Sequence, residues 1–232
     1  MTFLLITFNC FPMLREQNAT SITGTRLFSS WEEVEAVVVS YVDNHLPDFV
    51  AYYKSQGSPV GENRITDLLC SYFTICVDGF LPFWFGKNPT QAVGYRESDM
   101  GVFVKDKEMN PMLPIFEFEA KKLSLSSSNK EYVRGERGGM ERFKRGIHSP
   151  HLPHCGMLGY VFIHDLHYWT EQINSWITDL AGLSPLSGVD WRGDDELLHS
   201  CGAIGNIAKF QSKNKRVSKS DIQIFHYLMD LH

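Results

Sequence analysis

Apolar residues recur at helical spacing from Trp31 to about Gln56, where Val34, Val37, Val38, Tyr41 and Val42 follow the acidic first turns Glu32, Glu33 and Glu35. Ser30 is a cap for that helix, and Pro47 predicts a break that splits it in two. Gly57-Ser58-Pro59 reads as a linker. A second helix is predicted from about Glu62 to Cys76, burying Ile65, Leu68, Leu69, Tyr72 and Phe73. The aromatics Phe80, Phe83, Trp84 and Phe85 then lead into a Gly86-Lys87-Asn88-Pro89 turn. Period-two runs predict strands over about 99–104 and 113–122, joined by polar Lys105 to Pro111. A polar loop covers Ser124 to Asn129, and a short helix starts at about Gly139. Gly156 to Ile163 reads as a buried strand, and Tyr168 to Leu180 as an amphipathic helix with Trp169, Ile173, Trp176, Ile177 and Leu180 inward. Residues 206–211 and 222–229 close the chain as a strand pair. This order predicts an α/β fold, a central mixed sheet flanked by helices. Residues 1–57 form an N-terminal strand and helical extension packed on a core of 58–232, one compact domain overall.

One strand carries unusual chemistry. In Phe116-Glu117-Phe118-Glu119-Ala120-Lys121-Lys122-Leu123 the apolar Phe116, Phe118 and Ala120 share a face, and Glu117, Glu119 and Lys121 share the other. Two carboxylates and an ammonium in line are costly unless water, a metal or a polar ligand covers them. An upstream run, Ser98-Asp99-Met100-Gly101-Val102-Phe103-Val104, opens with an acid. Paired as a hairpin, the two runs would bring Asp99 and Glu119 onto one hard cation, with Lys121 beside them. The alternative is a sheet edge whose Glu and Lys make ordinary cross-strand pairs. Glu117 competes with Glu119 for the ligand role, and the Glu-x-Lys spacing favours Glu119.

An Asp opening one strand and Glu-x-Lys on the next resembles the PD-(D/E)XK nuclease superfamily, over roughly residues 58 to 165. The matched residues are Asp99, Glu119 and Lys121, and Ser98 stands where the name-giving Pro would be. Many members carry a Glu on the helix before the hairpin, a place Glu62 fits. The resemblance implies a restriction-endonuclease-like core and a Mg²⁺-dependent endonuclease that hydrolyses phosphodiester bonds in DNA, with Mn²⁺ substituting. Restriction or anti-phage defence is the setting it implies. Mg²⁺ prefers octahedral oxygen ligands and keeps several waters, so Asp99, Glu119 and the Ala120 carbonyl would suffice. Lys121 would orient or deprotonate the attacking water, or offset phosphate charge. Glu62 would hold a second ion or a water. The rival expectation is a catalytically silent subunit on the same fold that binds nucleic acid or docks a partner.

Charge distribution extends this reading. The formal net charge is −5, yet residues 121–145 hold eight Lys/Arg against three Glu, and residues 209–219 hold five Lys/Arg and no acid. Two local excesses of basic charge are where a polyanion would dock. Arg134, Arg137, Arg142 and Lys144 would contact the substrate backbone, as would Lys213, Lys215 and Arg216; the alternative is two solvated surface segments. A homodimer or partner subunit would serve if both strands of a duplex are cut. Five scattered cysteines imply no disulfide framework and fit a reducing compartment. The apolar Met1 to Phe8 lacks a basic flank and a cleavage site, so it reads as a strand or core plug. No run reaches a membrane span, so a cytoplasmic protein follows. His148, His151, His154 and Cys155 are zinc-type ligands, with His164 or His167 to complete a set. Their spacing matches no standard finger, and no structural zinc is expected. No P-loop, dinucleotide fingerprint or Gly-x-Ser-x-Gly elbow appears.

Overall fold

A computed structural model describes residues 31–57, 61–77, 81–89, 97–105, 113–125, 127–135, 138–183 and 188–232. The expected strand at Met1 to Phe8, the cap at Ser30 and the basic residue Arg137 lie outside them. Among the described residues, four α-helices and seven strands follow one another: α1 (Trp31–Ser55), α2 (Glu62–Cys76), β1 (Phe83–Lys87), β2 (Met100–Val104), β3 (Phe116–Leu123), α3 (Gly139–Lys144), β4 (His154–Val161), α4 (Leu166–Ala181), β5 (His199–Ile204), β6 (Ile207–Asn214) and β7 (Ile222–Asp230). The strands form one mixed sheet in the order β1-β2-β3-β4-β7-β6-β5. β3, β4 and β7 run parallel at its centre, and antiparallel pairs extend it on both sides.

The period-two pattern sorts the central strands onto two cores. Phe116, Phe118, Ala120, Leu158, Tyr160, Tyr227 and Met229 pack under α1 and α2. Leu123, Met157, Val161, Ile222, Ile224 and Leu228 pack with α3 and α4 on the opposite face. The result is a three-layer helix–sheet–helix sandwich, as the element order predicts. No helix among the described residues is long and apolar enough to cross a membrane.

Several expectations need correction. Pro47 does not split the first helix, which runs unbroken through it. Proline there removes one intrahelical hydrogen bond, but Val42, Leu46, Phe49, Val50 and Tyr53 are all buried in the core on either side of it. The buried side chains of α1 are part of the core on that face of the sheet. Phe83 and Phe85 are strand residues with buried side chains, while Trp84 stacks on Phe103 on the other face. β5 escaped the sequence because all six of its residues are exposed, so no burial pattern marks it. β3 is not half-buried: both its faces are covered.

Parallel central strands pack tightly here because Gly156 leaves room. A Cβ at that position would fall on the Phe118 ring, with Phe116 next to it. Gly156→Ala is therefore expected to destabilise the protein by about 1–3 kcal/mol, the range for overpacking a filled core. Chemical denaturation monitored by tryptophan fluorescence measures it.

Candidate active site

The hairpin forms in the register that the chemistry requires. Met100 pairs with Phe118 and Gly101 with Glu117, so Asp99 comes opposite Glu119. The Asp99 N–H donates to the Phe118 carbonyl at 3.1 Å, and Asp99 Oδ2 accepts the Ala120 N–H at 2.7 Å. Asp99 thus caps the edge of β3 through its own carboxylate. Glu119 sits in the middle of β3 and is 1% exposed.

Three side chains, from β3 itself, α3 and the loop before β4, reach it, and Glu62 backs one of them. Lys121 Nζ donates to Glu119 Oε1 and to the Ala120 carbonyl, both at 2.9 Å. Arg142, on α3, donates through Nη1 to the same Oε1 at 2.8 Å. That Nη1 also lies 3.0 Å from His148 Nε2, which in turn stands 3.6 Å from Glu119 Oε2. Glu62, at the first turn of α2, accepts the Lys122 N–H at 2.6 Å through Oε2 and lies 3.8 Å from Lys121 Nζ through Oε1. The structure therefore brings together Glu62, Asp99, Glu119, Ala120, Lys121 and Arg142.

Burial and mutual repulsion show in the titration of these groups. Burial, reinforced by the Glu119 charge, pushes Asp99 from 3.8 up to about 6; Lys121, the Ala120 N–H and Arg142 oppose it. Burial also raises Glu62, against the pull of Lys121. For Lys121, burial favours the neutral amine, but Glu119, Asp99 and Glu62 outweigh it and hold the ammonium above its ordinary value.

Whether these residues fit a hard cation is decided at Glu119. Its Oε2 is buried and accepts no hydrogen bond, an expensive condition for a carboxylate oxygen. An oxygen ligand left open beside Asp99 and a backbone carbonyl suits Mg²⁺, which takes oxygen ligands and keeps waters. Among the described residues no three Asp, Glu, His or Cys side chains group as a ready-made metal cage. Glu62 gives one oxygen to the Lys122 N–H and turns the other towards Lys121, which leaves Asp99, Glu119 and the Ala120 carbonyl as the donor set. Glu117 is out of contention. It is fully buried and accepts hydrogen bonds from Ser98 Oγ at 3.0 Å and from Ser149 Oγ. Ser98, in the position of the motif's proline, thus has a packing role of its own.

The remaining basic candidates do not join this site. Lys144 has no exposure, pairs with buried Glu196 and lies over the Trp191 ring at 4.5 Å, so it cannot meet a phosphate. Arg216 is 4% exposed and donates to the carbonyls of Ser149, Pro150 and Leu152 at 2.9, 3.4 and 2.6 Å. Both were expected on a substrate surface and are instead interior supports. A charge count along the chain cannot distinguish a buried, paired lysine from a solvated one. Lys213 is exposed but projects from the α1 face, since it shares the parity of Lys209, which pairs with Asp43. It stands about 15–20 Å from Glu119, three strands across and three residues along. Lys215 pairs with exposed Asp190 at 3.4 Å. Arg134 is exposed beside the loop before α3.

The histidine-rich loop disperses. His151 meets the Pro114 carbonyl at 3.1 Å, His154 meets Glu35, and Cys155 is buried in the core under α3 and α4. His148 is the site residue that sequence reasoning missed. Its only signal was a place in a loop read for zinc. No family model, curated protein or solved structure matches this chain.

Two measurements test this geometry. Asp99 binds its proton more tightly folded than unfolded, so its contribution to stability falls as pH rises from about 4 through about 6. Asp99→Asn should therefore melt above the wild type at pH 8, and the gap should narrow towards pH 4. Lys144→Ala should cost about 3–5 kcal/mol by leaving Glu196 buried without its partner. Thermal and chemical denaturation across the pH series give both.

Proposed function

We propose that this chain is a metal-dependent nuclease with a restriction-endonuclease-like core, hydrolysing phosphodiester bonds in DNA. The observation that carries the reading is the convergence of Asp99, Glu119, the Ala120 carbonyl and Lys121 on adjacent strands of one hairpin, with an open Glu119 oxygen among them. The order of these residues and their element types agree with the PD-(D/E)XK pattern. Glu62 on the preceding helix adds a further point of agreement.

Asp99, Glu119 and the Ala120 carbonyl would hold the cation. Mg²⁺ held there would supply a Lewis acid for the phosphoryl oxygen and make a bound water more acidic. The chain's own residues do the rest. Lys121, kept as an ammonium by three carboxylates, orients the attacking water and offsets charge on the phosphate. Arg142, which retains partial exposure, is placed to contact a phosphate oxygen beside it. Glu62 fixes the backbone of Lys122 and so the direction of the Lys121 side chain. Asp99 holds the Ala120 N–H, which fixes the orientation of the Ala120 peptide.

Plasmid cleavage tests the reading. Asp99→Ala and Glu119→Ala should each lower cleavage in Mg²⁺ by at least about 10³-fold, the scale for losing a group that holds the catalytic charge. Mn²⁺ should support activity, and Ca²⁺ should bind without turnover. Full cleavage by folded Asp99→Ala protein would sink the assignment; DNA binding without cleavage by the wild type would favour the silent-subunit alternative.

A further inference from the structure

Two side-chain cations already stand on the groups that would hold the metal. Lys121 Nζ touches Glu119 Oε1 and the Ala120 carbonyl at 2.9 Å each, two of the three expected ligands. Arg142 Nη1 touches the same Oε1 at 2.8 Å. A carboxylate oxygen offers two lone pairs, and two donors occupy both. The reason lies in the carboxylates. Glu119 is buried beside Asp99, with the partly exposed Glu62 on the far side of Lys121, and these acids need positive charge close by. Without a divalent ion, the chain supplies it from Lys121 and Arg142. A hard cation approaches its oxygen ligands to about 2.0–2.1 Å, and it would repel an ammonium and a guanidinium on the same carboxylate.

We propose that Lys121 and Arg142 are the resident counter-ions of the metal-free site, and that a divalent ion entering at Glu119 Oε2 and the Ala120 carbonyl exchanges with them: Lys121 gives up that carbonyl, and both cations draw back from the Glu119 carboxylate. This rests on the metal-site reading above. The pair differ in where they can go. Lys121 retains Glu62 as a partner 3.8 Å away. Arg142 comes from another element, is 22% exposed along its side chain, and has His148 Nε2 at 3.0 Å as a second contact. His148 is thus a positioning residue that keeps the guanidinium beside the site while it is off the carboxylate. The exchange makes the metal compete with the protein's own charges, so affinity is lower than the donor set alone would give. A purely structural role predicts the reverse: loss of either donor would leave Glu119 less well oriented and weaken the metal.

Calorimetric titration of Mn²⁺ into the full chain separates the two, with DNA absent and no activity measured. Lys121→Met and Arg142→Gln each remove a charge; the glutamine keeps an N–H for Glu119, which guards against loss of the fold. Both should tighten Mn²⁺ binding about tenfold, equivalent to about 1.4 kcal/mol. Both should also melt below the wild type without Mn²⁺ and show a larger rise in melting temperature when it is added. Unchanged or weaker Mn²⁺ binding in Arg142→Gln, with wild-type binding intact and abolished by Asp99→Ala, overturns the exchange and leaves the metal site standing. No Mn²⁺ binding by the wild type or either variant overturns the metal site itself, and the exchange with it.

Discussion

The rest of this structure is arranged around a buried carboxylate, Glu119, at the centre of a sheet covered on both faces. Moving one ionised carboxylate out of water costs far more than any single surface contact returns. The fold meets that cost with groups from four places. The strand itself contributes Lys121, α3 contributes Arg142, the loop before β4 contributes His148, and the start of α2 contributes Glu62 to hold Lys121 in turn. None of these is near Glu119 in the chain except Lys121. The hairpin adds a second acid, Asp99, whose proton is held more tightly by burial and then by the Glu119 charge. A protein needing only stability would put apolar side chains at such positions. Charges retained at the middle of a sheet, with one carboxylate oxygen left without a hydrogen bond, are what the proposed metal site rests on.

Polar groups that never touch this cluster nevertheless hold it in shape. Arg216 gathers the carbonyls of Ser149, Pro150 and Leu152, and so fixes the loop that carries His148 and Ser149. Ser149 and Ser98 both donate to Glu117, which ties that neighbouring acid down away from the Glu119 cluster. Lys144 and Glu196 tie the end of α3 to the segment before β5, steadying the helix that delivers Arg142. Side chains that looked like a phosphate-binding surface are thus the interior supports of the site.

Glu62, Asp99, Glu119 and Lys121 were legible as a set because each lies on an element whose pattern is strong. The amphipathic repeat of α2 starts at Glu62, and the alternation of β3 puts Glu119 and Lys121 on one face. A one-residue slip between the two strands would turn Phe116, Phe118 and Val102 away from the core, and the register that forms sets Asp99 against Glu119. The basic residues were not legible. Lys144 and Arg216 read like Arg142 and Lys213, since charge along a chain carries no information about depth.

The sequence by itself determined the α/β alternation, the two helices and strands that frame the hairpin, and the identity of the acids on it. Those follow from local periodicity, which survives without knowledge of neighbours. Only the tertiary structure decided which charges face one another. It made α1 continuous through Pro47, because burial on both sides outweighs one missing hydrogen bond. It covered the charged face of β3 with Arg142 of α3 and with His148, where the alternation alone called for water, a metal or a polar ligand. And it chose Arg142 over Lys144, two residues apart on a six-residue helix: one points to Glu119 and the other into the core, because a two-residue step carries a side chain about 200° around a helix.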